Sequence, residues 1–201
     1  PQAVIVNSGI ANACTGEEGL ECCRKTAEAA SQALNVDAAG VLVGSTGVIG
    51  MQMPVDRIEK GIHMLAAEKK ADRESGAAAA RAIMTTDTRP KEAAVTFEIG
   101  GKTVTIGGMA KGSGMIHPNM CTMLSFVTTD AAIDKDLLQQ ALSSSVRDTY
   151  NMVSVDGDTS TNDTVLLLAN GLAQNEKIVE KGEDYEKFME ALNEVHTTLA
   201  K

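Results

Sequence analysis

The residue in this sequence best placed to do chemistry is Thr122, in the stretch KGSGMIHPNMCTML that runs from Lys111 to Leu124. It follows a glycine-rich, proline-broken approach and opens a strand-like apolar run. One reading is a loop leading into a buried strand. The other makes Thr122 a nucleophile that works only after the chain is cut in front of it. Inside a chain a threonine hydroxyl is a weak nucleophile, but at a new N-terminus its own α-amine, with a reference pKa of about 7.7, can serve as its base. The cut itself needs attack of the Thr122 hydroxyl on the Cys121 carbonyl, an N-to-O acyl shift, and hydrolysis of the resulting ester. Gly112, Gly114 and Pro118 suit the bent backbone such an attack requires.

Three further clusters carry candidate chemistry. In VGSTGVIG, Thr46 and Gly47 are expected on a turn after a short strand, Val41 to Val43, where backbone N–H groups and a hydroxyl can converge on developing negative charge. An ordinary strand-exit turn fits the same residues. In IMTTDTRPK, Thr85, its neighbouring hydroxyls and Asp87 either bind a substrate or satisfy one another. Lys111, set among small residues with no apolar core to reach, is a candidate active-site cation.

Other motifs fail on spacing. GGMAKGSG is not a phosphate loop, because Lys111 precedes Gly112 and Ser113 instead of following the glycine. DGDTSTND is not a calcium loop, since Thr161 stands in the place of the central glycine and Leu167 in that of the closing glutamate. It reads as a cap or turn cluster. His63, His117 and His196 are isolated, so no zinc site is expected.

The elements that must position these residues follow from periodicity. A strand is expected at AVIVNSGI, a helix from about Glu17 to Leu34, and a helix from Met53 to Ala67 with Val55, Ile58, Ile62 and Leu65 on one face. ESGAAAARAIMTTD is helical at its start. AAVTFEIGGKTVTIGG reads as a hairpin turning at Gly100 and Gly101. A strand follows from about Thr122 to Thr128, then a helix capped by Asp134 and running through Val146. MVSVDGDTSTNDTVLLLANG reads as a strand, a polar loop and an apolar helix or strand. A last helix, about Tyr185 to Leu199, places Phe188, Leu192, Val195 and Leu199 on one face. Strands and helices mix without a clean alternation, which points to an α+β fold in layers.

Composition narrows the partners. Among 201 residues there are 27 acidic and 18 basic side chains, a net charge of -9, with no Trp, two Tyr and three Phe. That charge repels phosphate backbones and leaves almost no stacking platform, so nucleic acid is not an expected partner. The apolar runs are too short to span a bilayer and no leader segment is evident, so no membrane association is expected and the location is read as cytoplasmic. Cys14, Cys22, Cys23 and Cys121 form no disulfide framework and are expected as reduced thiols.

Taken together and in order, VIVNSGIANACTG, VLVGSTGVIG, AIMTTDTRPK, KGSGMIHPNMCTML and VDGDTSTNDTVLLLANG closely resemble the bifunctional ornithine acetyltransferase and N-acetylglutamate synthase family of arginine biosynthesis. The likeness runs along nearly the whole chain. It implies self-cleavage between Cys121 and Thr122, giving an α portion, residues 1–121, and a β portion, residues 122–201, of one acyltransferase domain. Family members usually carry Ala before the cut, where this chain has Cys121.

The resemblance further implies that Thr122 is acetylated by N2-acetylornithine and passes the acetyl group to glutamate, with acetyl-CoA a second donor in bifunctional members. Carried over residue by residue, Thr46 and Gly47 form the oxyanion hole, and Thr85, Lys111 and Thr122 contact substrate. Lys111 also biases the Thr122 amine toward its neutral form. No cofactor and no metal is implied; association of the two portions and an oligomer are. The fold implied is the α-β-β-α sandwich shared with the β-peptidyl aminopeptidases, which release an N-terminal nucleophile by self-cleavage. Family members are considerably longer and draw an acidic residue and an Asn of the substrate site from a C-terminal part, so this chain is expected to be a central piece, incomplete at both ends. The competing expectations are an N-terminal-threonine amide hydrolase or aminopeptidase, and an inactive truncated domain.

Overall fold

The computed structural model describes residues 1–115, 117, 123–158 and 160–201. They form two compact units, Pro1–Thr85 and Thr86–Lys201. Both mix helices and strands, giving the α+β fold expected.

In the first unit β1 (Ala3–Ile10) and β2 (Val41–Val48) pair in parallel, joined by α1 (Gly16–Leu34). Parallel neighbours need such a crossover, and the helical run after Glu17 supplies it. α2 (Val55–Glu68) and α3 (Arg73–Ala82) complete the unit, α3 being capped by Asp72, whose carboxylate accepts the Ser75 N–H. Ala29, Ala30, Val41 and Ile62 form its small core. Leu65, on the same nominal face as Ile58 and Ile62, is exposed.

β2 corrects the sequence reading. It runs on through Gly44, Ser45, Thr46 and Gly47 to Val48, where a turn was expected after Val43. The pairing continues because glycine meets glycine: Gly9 lies opposite Gly47, both with positive φ, +131° and +129°. A Cβ on Gly47 would fall 2.3 Å from the Gly9 carbonyl carbon, so only a glycine lets the backbones keep register there.

The second unit is a four-stranded sheet in the order β3 (Lys91–Ile99), β4 (Lys102–Lys111), β5 (Leu124–Thr129), β6 (Thr164–Ala169), with α4 (Lys135–Asp148) and α5 (Glu183–Ala200). The β3–β4 hairpin turns at Gly100 and Gly101, with φ +55° and +73°, as two-residue hairpin turns require. Asp134 caps α4 by accepting the Asp136 N–H at 2.9 Å. On α5 the expected stripe is wholly buried: Phe188, Leu192, Val195 and Leu199 are at most 1% exposed. Each such burial is worth about 1.5–3 kcal/mol, which fastens α5 to the sheet, with Phe188 edge-on to Phe97 of β3.

Near β6 the structure settles one open reading and revises one expectation. TVLLLA is a strand, paired in parallel with β5 from Leu124↔Thr164 to Thr129↔Ala169. The strand expected at Met152 to Val155 does not form; a 3-10 turn, Tyr150–Met152, stands at its start. The strand expected from Thr122 begins at Leu124 among the described residues; Thr122 lies outside them.

Candidate active site

β4 ends on Lys111, and its register opposite Leu124 of β5 sets the lysine at the interior edge of the sheet. Sequence suggested an active-site cation with no apolar core to reach; Lys111 is in fact only 3% exposed. Burial among the sheet's side chains pushes its ammonium pKa down. The negative charges of Asp87 and Asp163 oppose that shift, and the Lys91 ammonium adds to it. A buried lysine flanked by two carboxylates is a deliberate electrostatic setting, since an uncompensated charge there would be costly.

The residues that follow Lys111 are pinned by side chains from β3 and its approach. Gly112 N–H donates to Asp87 Oδ1 at 2.6 Å, while the Lys91 ammonium donates to the Gly112 carbonyl at 2.9 Å. Thr86 and Ser113 hydroxyls hydrogen-bond at 2.6 Å. Asp87 thus holds the backbone beside Lys111.

The cluster DGDTSTND, read from spacing as a turn, proves to hold both flanks of the stretch containing the expected cut. Asp156 Oδ2 accepts the Met115 N–H at 2.6 Å, and Asp163 Oδ1 accepts the Met123 N–H at 2.9 Å. Partial burial raises the Asp163 carboxyl pKa, against the stabilising effect of the Met123 N–H, the Ser160 side chain and the Lys111 charge. A small open cleft is lined by Lys91, Lys111, Gly112, Met123, Tyr150 and Leu199, among others. Behind it Tyr150 shares a 2.8 Å hydrogen bond with the buried Ser125 hydroxyl.

Of the residues singled out from sequence, Thr46 is 1% exposed and Gly47 is exposed, as successive residues of β2 in the first unit. Thr85 is exposed at the last position of that unit. Lys111 belongs to the second. Cys121 and Thr122 lie outside the described residues. Lys91, Asp156 and Asp163 were missed as site residues because nothing local marks them: Asp163 meets its backbone partner 40 positions away. Their one signal was membership of the quoted motifs.

A mixed α+β fold, a buried Lys111 with two carboxylates acting on it, and the Met115 and Met123 N–H groups held by Asp156 and Asp163 make this cluster the candidate site. The chain matches the ArgJ family over residues 1–201 and belongs to it. It is 56% identical over 200 residues to an arginine biosynthesis bifunctional protein ArgJ of Symbiobacterium thermophilum, covering all of this chain and 49% of that protein. The ArgJ protein of Thermotoga neapolitana is 52% identical over 199 residues, 99% of this chain and 49% of the relative. This chain thus spans about half the length of the curated relatives it matches.

Two solved structures agree. The arginine biosynthesis bifunctional protein from Bacillus halodurans superposes with a TM-score of 0.54 at 47% identity, over 58% of this chain and 60% of that one. The ornithine acetyltransferase of Mycobacterium tuberculosis, solved with ornithine, gives 0.51 at 40% identity, over 58% and 61%. No helix among the described residues is long and apolar enough to cross a membrane.

Proposed function

We propose that this chain carries the nucleophile and part of the pocket of an acetyltransferase that moves the acetyl group of N2-acetylornithine to glutamate. The observation that carries the reading is the setting of Lys111, buried between Asp87 and Asp163, with Asp163 also holding the peptide that follows Thr122. Family membership and the ornithine complex of a relative support the substrate class.

The first step is self-cleavage. Thr122 Oγ attacks the Cys121 carbonyl, its proton passes to the departing amine, and the C–N bond gives way to an ester. Water then splits the ester into the Cys121 carboxylate and the free Thr122 hydroxyl, leaving residues 1–121 and 122–201 as the two portions of one domain. The pieces share a sheet, because β4 lies before the cut and β5 after it, paired from Ile106↔Thr129 to Lys111↔Leu124.

In transfer, the Thr122 amine accepts the hydroxyl proton as Oγ attacks the acetyl carbonyl of N2-acetylornithine. The amide C–N bond breaks, and ornithine leaves with that proton on its amine. The glutamate amine then attacks the acetyl ester; the new amide forms as the proton returns to Oγ. Thr46 and the Gly47 N–H stabilise the oxyanion of each tetrahedral intermediate, Thr85 and Lys111 contact the substrate, and the Lys111 charge keeps the Thr122 amine neutral. Acetyl-CoA serves as a second donor, and the enzyme works as an oligomer in the cytoplasm.

Incubation with N2-acetylornithine should add one acetyl group to the peptide beginning at Thr122, and added glutamate should remove it as N-acetylglutamate. Free acetate without acetylglutamate would make the protein a hydrolase; no acetyl-enzyme at all would make it an inert domain.

A further inference from the structure

Both backbone groups of Met123 are held by two consecutive residues. Its N–H donates to Asp163 Oδ1 at 2.9 Å, and its carbonyl accepts the Thr164 N–H at 3.0 Å. The Thr164 bond continues the β5–β6 ladder, which begins at Leu124↔Thr164. The Asp163 bond does not: it is a side chain taking over where the ladder stops. For capping a ladder alone, a neutral oxygen from Ser, Thr or Asn would suffice, and a half-buried carboxylate is the more expensive choice because burial disfavours its charge. The charge is matched across the site: Asp163 acts on Lys111, and Lys111 on Asp163, each favouring the other's ionised form.

We propose that Asp163 is a positioning residue for the nucleophile, fixing the Met123 peptide one residue beyond Thr122 and sharing with Asp87 the countercharge to Lys111 at the end of β4. This rests on the acetyl-threonine reading above. The role outlasts the cut: Asp163 and Met123 fall in the β portion and Lys111 in the α portion, so their attraction spans the two products. Of the other charged groups around Lys111, Asp87 acts in the same sense as Asp163 and Lys91 in the opposite one. Asp87 accepts the Gly112 N–H, ahead of the cut, whereas Asp163 accepts the Met123 N–H, so Asp163 is the carboxylate that couples Lys111 to the residue after Thr122.

The test compares Asp163→Asn and Asp163→Ala in the chain extended to the length of its relatives. Three quantities are measured: the rate at which fragments 1–121 and 122–201 appear, the rate of Thr122 acetylation by N2-acetylornithine against pH, and the Lys111 pKa by NMR of labelled lysine. Asparagine keeps an acceptor for Met123, so its amide should stay protected from exchange while the Lys111 pKa falls and the pH profile of acetylation moves with it. Alanine should lose that protection as well and slow both reactions by about 10-fold to 10²-fold, the scale of a small misplacement. The proposal is overturned if both variants react at the wild-type rate with Lys111 unmoved. It is also overturned if D163A merely unfolds while D163N matches wild type in all three measurements. A wild-type protein that neither cleaves nor acetylates removes the acetyltransferase reading, and this one with it; an active wild type with indifferent variants removes this one alone.

Discussion

Gly47 stands directly opposite Gly9 in the parallel β1–β2 pair, so close that a Cβ on Gly47 would overlap the Gly9 carbonyl, while one on Gly9 would meet nothing within 4 Å. The two glycines therefore answer differently to the same substitution. Gly9→Ala should cost only the strain of a positive φ, about 1–3 kcal/mol. Gly47→Ala adds backbone overlap and should cost clearly more, disrupting the β2 segment that carries Thr46. Denaturant midpoints of the two variants check this; equal losses would sink the close-approach account.

Thr46 offers a cleaner chemical test because it is buried and β-branched within a strand. Thr46→Val keeps the shape and removes the hydroxyl. If that hydroxyl stabilises the oxyanion, T46V should slow both self-cleavage and acetyl transfer by about 10²-fold to 10³-fold. Thr46→Ser should recover most of the rate. Wild-type rates in T46V would take Thr46 out of the oxyanion hole.

The cut at Thr122 should yield two polypeptides that remain one particle. Intact mass under denaturing conditions should show residues 1–121 and 122–201, whereas native size should be unchanged, because the β4–β5 pairing and the Asp156 bond to Met115 both bridge the break. Thr122→Ala should leave a single uncut chain and form no acetyl-enzyme; Thr122→Ser should retain some cleavage. Cleavage of T122A at the same bond would rule out the intramolecular route.

His196 predicts an acid limit to stability. It is fully buried on α5, its Nδ1 sharing a 2.8 Å hydrogen bond with the Ser145 hydroxyl, and burial pushes its pKa down to about 4. The unfolded chain takes up that proton near pH 6.5, the folded chain only near 4, so the stabilisation is complete above about 6.5 and is lost as pH falls toward 4. The ceiling is about 3 kcal/mol. Unfolding measured at about pH 7 and about pH 4.5 should show a smaller loss in His196→Gln than in wild type; parallel losses would contradict the assignment.

By itself the sequence determined what depends on local pattern. Apolar spacing marked α1, α5 and the β3–β4 hairpin; Gly100 with Gly101 marked the turn, and Asp134 the helix cap, since each rests on residues a few positions apart. The ordered motifs likewise carried the family and named Thr46, Gly47, Thr85, Lys111 and Thr122. Tertiary structure decided whatever depends on partners far along the chain. β2 continues past Val43 because Gly47 finds Gly9, and Lys111 is buried because β4 ends against β5. DGDTSTND, locally a turn, holds Met115 and Met123 because β6 enters the sheet beside β5. A carboxylate's meaning lies in the N–H or the ammonium it faces, and those are supplied by folding rather than by its neighbours in sequence.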